Sequence, residues 1–358
     1  MRRFSRYLTL SLAVVALALT SFAQASHAAE AKKSFKLAWS IYVGWMPWGW
    51  AADKGIVKKW ADKYGVAIDV QRLDYIPSIE QYTAGAFDAV AATNMDTLAI
   101  PSAGGIDSTA LIVGDFSNGN DAVILKNKKA LADIKGQKVN LVELSVSHYL
   151  LARALQSIKL TEKDVTVVNT SDSEMIAAFG TPQVTGVVTW NPLVEEILKR
   201  KDATSVFNSS MIPGEIMDLL VVKTDTLKAN PALGKALVGA WYETMQIMSS
   251  DTPAGKEART AMGVASGTDL AGMESQLKTT RMFYKPAEAV AFAQGKDVSK
   301  TMDYVRTFLF EHGLLGPEAK SPDVVGISFP DGSVLGNKAN VKFRFTSEYM
   351  DMAAKGKL

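Results

Sequence analysis

Carboxylates and indoles recur in this chain where strands give way to turns, and lysine and arginine do not. Trp45 and Trp48 belong to one turn, Tyr42-Val43-Gly44-Trp45-Met46-Pro47-Trp48, and Trp190 belongs to another, Thr189-Trp190-Asn191-Pro192. Asp96, Glu143, Glu215 and Asp218 fall in further turns, and the segments 41–50, 93–98, 115–121, 143–148, 189–192 and 209–218 hold no Lys or Arg. A carboxylate makes charge-assisted hydrogen bonds to N–H donors and an indole face attracts positive charge, so these side chains point toward a cation. Asn94, Ser145, Ser147 and Asn191 add neutral donors and acceptors that suit an uncharged polar ligand as well. Helix N-termini at the same turns offer partial positive charge and would suit an anion. Each candidate has a structural alternative: an indole can wedge a core, and Asp115 and Asp121 can simply solvate and cap the Asn/Gly turn between them.

Catalytic patterns are missing. There is no Walker A, zinc-metalloprotease or EF-hand motif. Ser147 and His148 are adjacent, but successive residues on a helix do not face one another, and no oriented acid completes a triad. The chain contains no cysteine, which removes disulfides and thiolate chemistry. With three histidines, of which His27 lies near the N-terminus, a histidine metal cluster is not expected. These residues describe binding without a reaction, and neither a cofactor nor a metal is expected.

The formal charge of +2 belongs to the first residues. Arg2, Arg3 and Arg6 precede an apolar run from Leu8 to Phe22 and then Ala-Gln-Ala-Ser-His-Ala, the three parts of a secretory signal peptide with cleavage after Ala28. The apolar run is short for a bilayer span. Without residues 1–28 the balance is about −1, so no overall field favours nucleic acid or anionic lipid. A mature protein in the periplasm is the expected product.

Positioning these side chains falls to alternating strands and helices. Phe35–Trp39 reads as a strand leading into a helix whose first turn accepts Pro47. Val66–Leu73, Phe87–Ala92 and Thr109–Val113 read as further strands, with a helix capped by Ser78 between the first two. Gly114–Asp121 then breaks the pattern with turn formers. A second unit follows: strands at Lys138–Val142, Val165–Val168 and Gly186–Thr189, with a helix from about Ser147 to Ser157. Ser209–Asp218 breaks the pattern again before Leu219–Val222, and a helix spans Pro231–Ile247. Shorter helices are expected at 254–264, 269–275, 286–294 and 299–310, and a peripheral tail or short edge element at 340–358. About 330 mature residues suffice for two α/β domains. The layout is a discontinuous first domain, 29–115 with 216–358, and a second domain, 116–215, joined by two crossings in a type II-like two-domain arrangement.

The turn at 41–50, Gly85-Ala86-Phe87-Asp88 before a strand, the Ser145–Leu150 helix entry and Thr189-Trp190-Asn191-Pro192, in that order, resemble the substrate-binding proteins of nitrate/sulfonate/taurine-type ABC transporters. Tyr42–Pro47 together with Thr189–Pro192 resembles the branch associated with urea-carboxylase operons. The resemblance implies a periplasmic binding protein fold, a small-molecule ligand in the interdomain cleft, an inner-membrane permease with a cytoplasmic ATPase as partner, and a monomer. It implies guanidine or urea as cargo. Guanidinium suits the acidic, indole-bearing turns best; urea, nitrate, an alkylsulfonate and a thiamine-precursor pyrimidine are the alternatives.

Overall fold

Two β-sheets organise residues 32–358, the part of the chain that the computed structural model describes. The expected leader, 1–28, lies outside these residues. The first sheet contains β1 (Ser34–Trp39), β2 (Ala67–Arg72), β3 (Ala89–Thr93), β4 (Ser108–Ser117), β10 (Met217–Lys223), β11 (Thr280–Met282), β12 (Gly326–Ser328), β13 (Val334–Leu335) and β14 (Val341–Phe345). Its order is β13-β12-β14-β4-β10-β3-β1-β2, with β11 on the far end of β4. The second sheet contains β5 (Ala122–Lys126), β6 (Lys138–Leu141), β7 (Thr166–Asn169), β8 (Gly186–Thr189) and β9 (Ala203–Asn208), in the order β7-β6-β8-β5-β9. The central strands are apolar on both faces, as strands covered by helices on either side must be. β3, with the sequence AVAAT, is buried throughout.

The chain leaves the first sheet through residues 118–121, after β4, and returns through 209–216, before β10. β4 and β10 are antiparallel neighbours, so the two crossings run side by side. Ser117 Oγ lies 2.6 Å from Ser209 Oγ, and the Ser209 N–H donates to the Asp121 carbonyl at 3.0 Å.

Three local expectations are corrected. The turn expected from Gly114 starts only after Ser117, because Asp115 and Phe116 are paired with β10 on one side and β11 on the other. Two partner strands outweigh local turn chemistry there. The same pairing makes Asp218 a strand residue, opposite Asp115 on β4 and Thr93 on β3. The helix expected at Ser78 is Tyr75–Thr83, with Asp74 at its N-cap; Ser78 is buried within it and its hydroxyl donates to the Tyr75 carbonyl at 2.6 Å. Finally, the C-terminal segment is no peripheral tail, since β14 lies between β12 and β4 and buries Phe343 and Phe345.

Candidate functional site

The first turn is folded around a helix start. Met46–Asp53 is helical with Trp45 at the N-cap and Pro47 in the first turn, where a missing N–H costs nothing. This entry turns Tyr42 and Trp45 toward the ends of β3, β4 and β10. Together with Tyr75, Thr93, Asp121, Val146, Trp190, Ile216 and Asp218 they wall a cavity of about 250 Å3. Every one of these residues is at most 4% exposed. Trp45 meets Tyr42 edge-on, with centroids 5.0 Å apart, and lies tilted over Tyr75 at 5.5 Å. Tyr75 meets Trp190 edge-on at 5.5 Å. Trp190 follows β8 of the second sheet, yet its Nε1 donates to the Ile41 carbonyl in the first turn at 3.1 Å.

Four carboxylates surround these rings. Asp115 Oδ1 accepts from the Tyr42 hydroxyl at 2.7 Å. Asp96 Oδ2 accepts from Tyr75 at 2.5 Å, Thr93 Oγ1 at 2.9 Å and the Val146 N–H at 3.3 Å. Asp121 Oδ2 accepts from Ser117 at 2.5 Å. Asp218 stands across the strand pair from Asp115. Asp96 Oδ1 is buried with no hydrogen-bond partner, and Asp115 Oδ2 and Asp218 Oδ2 find none until one of these two acids keeps a proton and donates it to the other. No ion pair among the described residues includes any of the four. Burial therefore pushes Asp96 up to about 6, against the hydrogen bonds from Tyr75 and Thr93. It pushes Asp115 and Asp121 up to about 7. Asp218 is raised well above the usual carboxylate range, first by burial and then by the charges of Asp115 and Asp121. Like charges directly opposite one another on paired strands destabilise a sheet, and buried carboxylates without a counter-ion cost more. Gly44 makes room for this cluster: a Cβ there would lie 2.4 Å from Asp115 Oδ2.

Of the residues expected at the site, Trp45, Trp190 and Asp218 reach the cavity wall. Asp96 sits one layer behind, bonded to three wall residues. The others lie away from the cavity wall. Trp48 faces away and stacks on Trp241 at 5.1 Å, because it lies on the face of its helix that packs into the core. Glu143 is exposed, and its backbone N–H donates to Asn169 Oδ1 at 3.0 Å. Asn94 ties β3 to the return crossing, accepting from the Met217 N–H at 3.0 Å and donating to the Glu215 carbonyl at 3.2 Å. Ser145 caps the helix Val146–Ser157, and Ser147 is buried in its first turn without reaching the wall. Asn191 Oδ1 accepts from the Glu195 N–H at 2.9 Å while its amide donates to Thr279 at 3.2 Å. Glu215 is held by Arg153 at 2.8 and 2.9 Å and by the Tyr149 hydroxyl at 2.6 Å.

Sequence reasoning passed over Tyr42, Tyr75, Thr93, Val146 and Ile216, and it assigned Asp115 and Asp121 to turn solvation. Tyr42 carried a signal, since it lies in the same turn as Trp45. Tyr75 carried none, because its place in the wall follows from a helix start that the sequence put four residues later.

Residues 116–254 match the family described as NMT1/THI5 like. The taurine-binding periplasmic protein of Escherichia coli K12 is 22% identical over 190 residues, which cover 52% of this chain and 59% of that protein. A binding protein of Brucella abortus is 25% identical over 198 residues, 54% of this chain and 60% of that protein. The chain thus spans 59–60% of the length of these curated relatives. Among solved structures, the periplasmic aliphatic sulphonate binding protein SsuA of Escherichia coli aligns with a TM-score of 0.66 at 16% identity, over 80% of this chain and 95% of that one. The periplasmic nitrate-binding protein NrtA of Synechocystis PCC 6803 aligns with a TM-score of 0.54 at 13% identity, over 90% and 98%. The fold is accordingly the mixed α/β, two-sheet fold of periplasmic binding proteins.

Proposed function

We propose that this chain is the periplasmic solute-binding component of an ABC importer and that its cargo is a small planar cation, guanidinium. Its likeness to taurine-, sulphonate- and nitrate-binding proteins supports the transport class. The cavity supports a departure from the anions in those names. The observation that carries the reading is the set of four buried carboxylates, without an internal counter-ion, around four aromatic rings. A cation placed there offsets the repulsion among the acids, donates to Asp218 and Asp121, and presents its flat faces to the indoles. The cavity is narrow and walled by buried side chains, which suits a ligand of a few atoms.

In this reading the mechanism is capture and closure, with no bond made or broken. The segments 29–115 with 216–358, and 116–215, act as two jaws on the paired crossings. Tyr42, Trp45, Tyr75 and Asp218 meet the ligand from one jaw, and Val146 and Trp190 from the other. Asp121 and Ile216 stand on the two crossings themselves, so a bound ligand favours the closed population. The closed monomer is then recognised by an inner-membrane permease driven by a cytoplasmic ATPase.

Urea is the second reading, and the raised Asp218 favours it: a carboxyl that keeps its proton can donate to a carbonyl oxygen. A calorimetric competition among guanidinium, urea, nitrate and taurine at constant ionic strength tests the assignment. Guanidinium should bind tightest, and Asp218→Asn should weaken it by roughly one to two powers of ten. Tighter binding of nitrate or taurine overturns the cation reading.

A further inference from the structure

A second, larger cavity of about 1120 Å3 including its mouth shares Trp190 with the first, and Ile41 also lies in its wall. Four acids line it, Asp74, Asp172, Glu195 and Glu196. Two basic residues line it too, Arg72 and Lys199, and Lys199 is paired with Glu196 at 2.7 Å. The acids come from both sides of the cleft: Asp74 stands at the N-cap position of the helix Tyr75–Thr83 beside the first sheet, its side chain making no capping bond, and Asp172 follows β7 of the second. Ser173 Oγ reaches Asp74 Oδ2 at 3.5 Å across the gap. Burial raises Asp172 above the usual carboxylate range, with the Asp74 charge adding to it.

An independent feature of the same wall points to a ligand that donates hydrogen bonds. Gln276 is 1% exposed and lines this cavity. Its Nε2 donates to Glu195 Oε2, which fixes the orientation of the amide, since a carboxylate accepts only from the nitrogen. The opposite atom, Oε1, is left without a partner. A buried amide oxygen is a pure acceptor, and on an acid-rich wall it selects a positively charged N–H donor over an anion.

We propose that the outer cavity is a second, weaker cation subsite that feeds the inner one, with Asp74, Asp172 and Gln276 Oε1 as its acceptors and the Trp190 indole as the partition between the two. The proposal rests on the cation reading of the inner cavity. Trp190 is suited to the role because it lines both cavities, held by its bond to the Ile41 carbonyl and by its edge-on contact with Tyr75. Acids concentrated in a cleft raise the local concentration of a cation and its association rate, an effect that salt suppresses.

Stopped-flow tryptophan fluorescence with guanidinium chloride at millimolar concentrations, at low and high ionic strength, tests this. In the Asp74→Asn/Asp172→Asn double variant the association rate at low salt should fall about three- to tenfold and its salt dependence should flatten. The single Asp172→Asn variant should show a smaller fall in the same direction. Trp190→Phe keeps an aromatic face and loses the bond to Ile41, so association and dissociation should both accelerate. Association rates equal to wild type in both acid variants, with guanidinium still bound, overturn the outer subsite and leave the inner one standing. Absence of guanidinium binding to the wild-type protein overturns both.

Discussion

Changing the pH from 5.5 to 8.5 while titrating guanidinium separates the possible ligands by sign. At pH 5.5 the ligand-free cluster holds most of its protons, with Asp96 at about 6, Asp115 and Asp121 at about 7 and Asp218 well above the usual range. A guanidinium ion keeps its charge over this whole span, as the arginine side chain does. Seating it beside a carboxylate that was protonated expels a proton, so the logarithm of affinity rises with pH by the number of protons released. For one proton, affinity should grow roughly 30-fold between pH 5.5 and 7, about 2 kcal/mol, and level off above the range where Asp115 and Asp121 ionise unaided. Titration calorimetry at pH 6 in two buffers of different ionisation enthalpy should report close to one proton released per ligand. The stability of the ligand-free protein carries the matching sign. Carboxyls raised in the folded state bind more protons than in the unfolded chain between about pH 4 and pH 7, so their contribution falls as pH rises through that window. Guanidinium should restore it. An affinity independent of pH refutes the involvement of these acids, and an affinity that improves as pH falls refutes the cation and favours urea or an anion.

Two further outcomes follow from the buried acids and their surroundings. Asp218→Asn removes one of two opposed carboxylates and leaves an amide able to donate to Asp115, so the ligand-free protein at pH 8 should melt about 2–6 °C higher even as it loses guanidinium affinity; a lower melting temperature would show that the pair is not under repulsion. Glu162 lies 3.1 Å from His148 and 2.8 Å from His312, linking the helix Val146–Ser157 to the end of the helix Lys296–Glu311. Burial opposes its charge, yet the contacts with His148 and His312 outweigh burial and pull it down to about 2, while Glu162 in turn raises His312. The acid's contribution is present above about pH 4.5 and the histidine's below about pH 6.5, so the cluster stabilises most between those values. Calorimetric melting should show Glu162→Gln about 1 kcal/mol or less below wild type at pH 6, after screening of these half-exposed groups, with the gap closing by pH 8.5. An equal gap at both pH values refutes the linkage.

Local chemistry made much of the architecture readable. Periodic apolar runs placed the strands β1 to β3, β6 to β8 and β10, the start of β4 and the long helix Pro231–Met248 within a residue or two of where they lie, because burial of an apolar face imposes its period on the sequence. The mixed α/β fold class followed from that alternation, and the lack of Lys and Arg from the turns pointed to a cation. Other features had no local signature. β11, β12 and β13 have three residues or fewer, β9 is a half-buried edge strand, and β14 is held between its neighbours β12 and β4. Asp115 looked like a turn residue because Gly114 precedes it and Asn118-Gly119-Asn120 follows shortly after, and Asp218 looked like the last residue of a loop. Their meeting depends on the register between β4 and β10, which lie about a hundred residues apart in the chain and whose alignment is fixed by pairing along the whole strands. Tyr75 joins the wall because its helix begins at Asp74, and Trp48 leaves it because the helix turns that ring toward Trp241. The sequence by itself determined which chemical groups were on hand and in which elements they sat. Which of them share one cavity was decided by strand register and helix phase, long-range packing outcomes that no window of neighbouring residues contains.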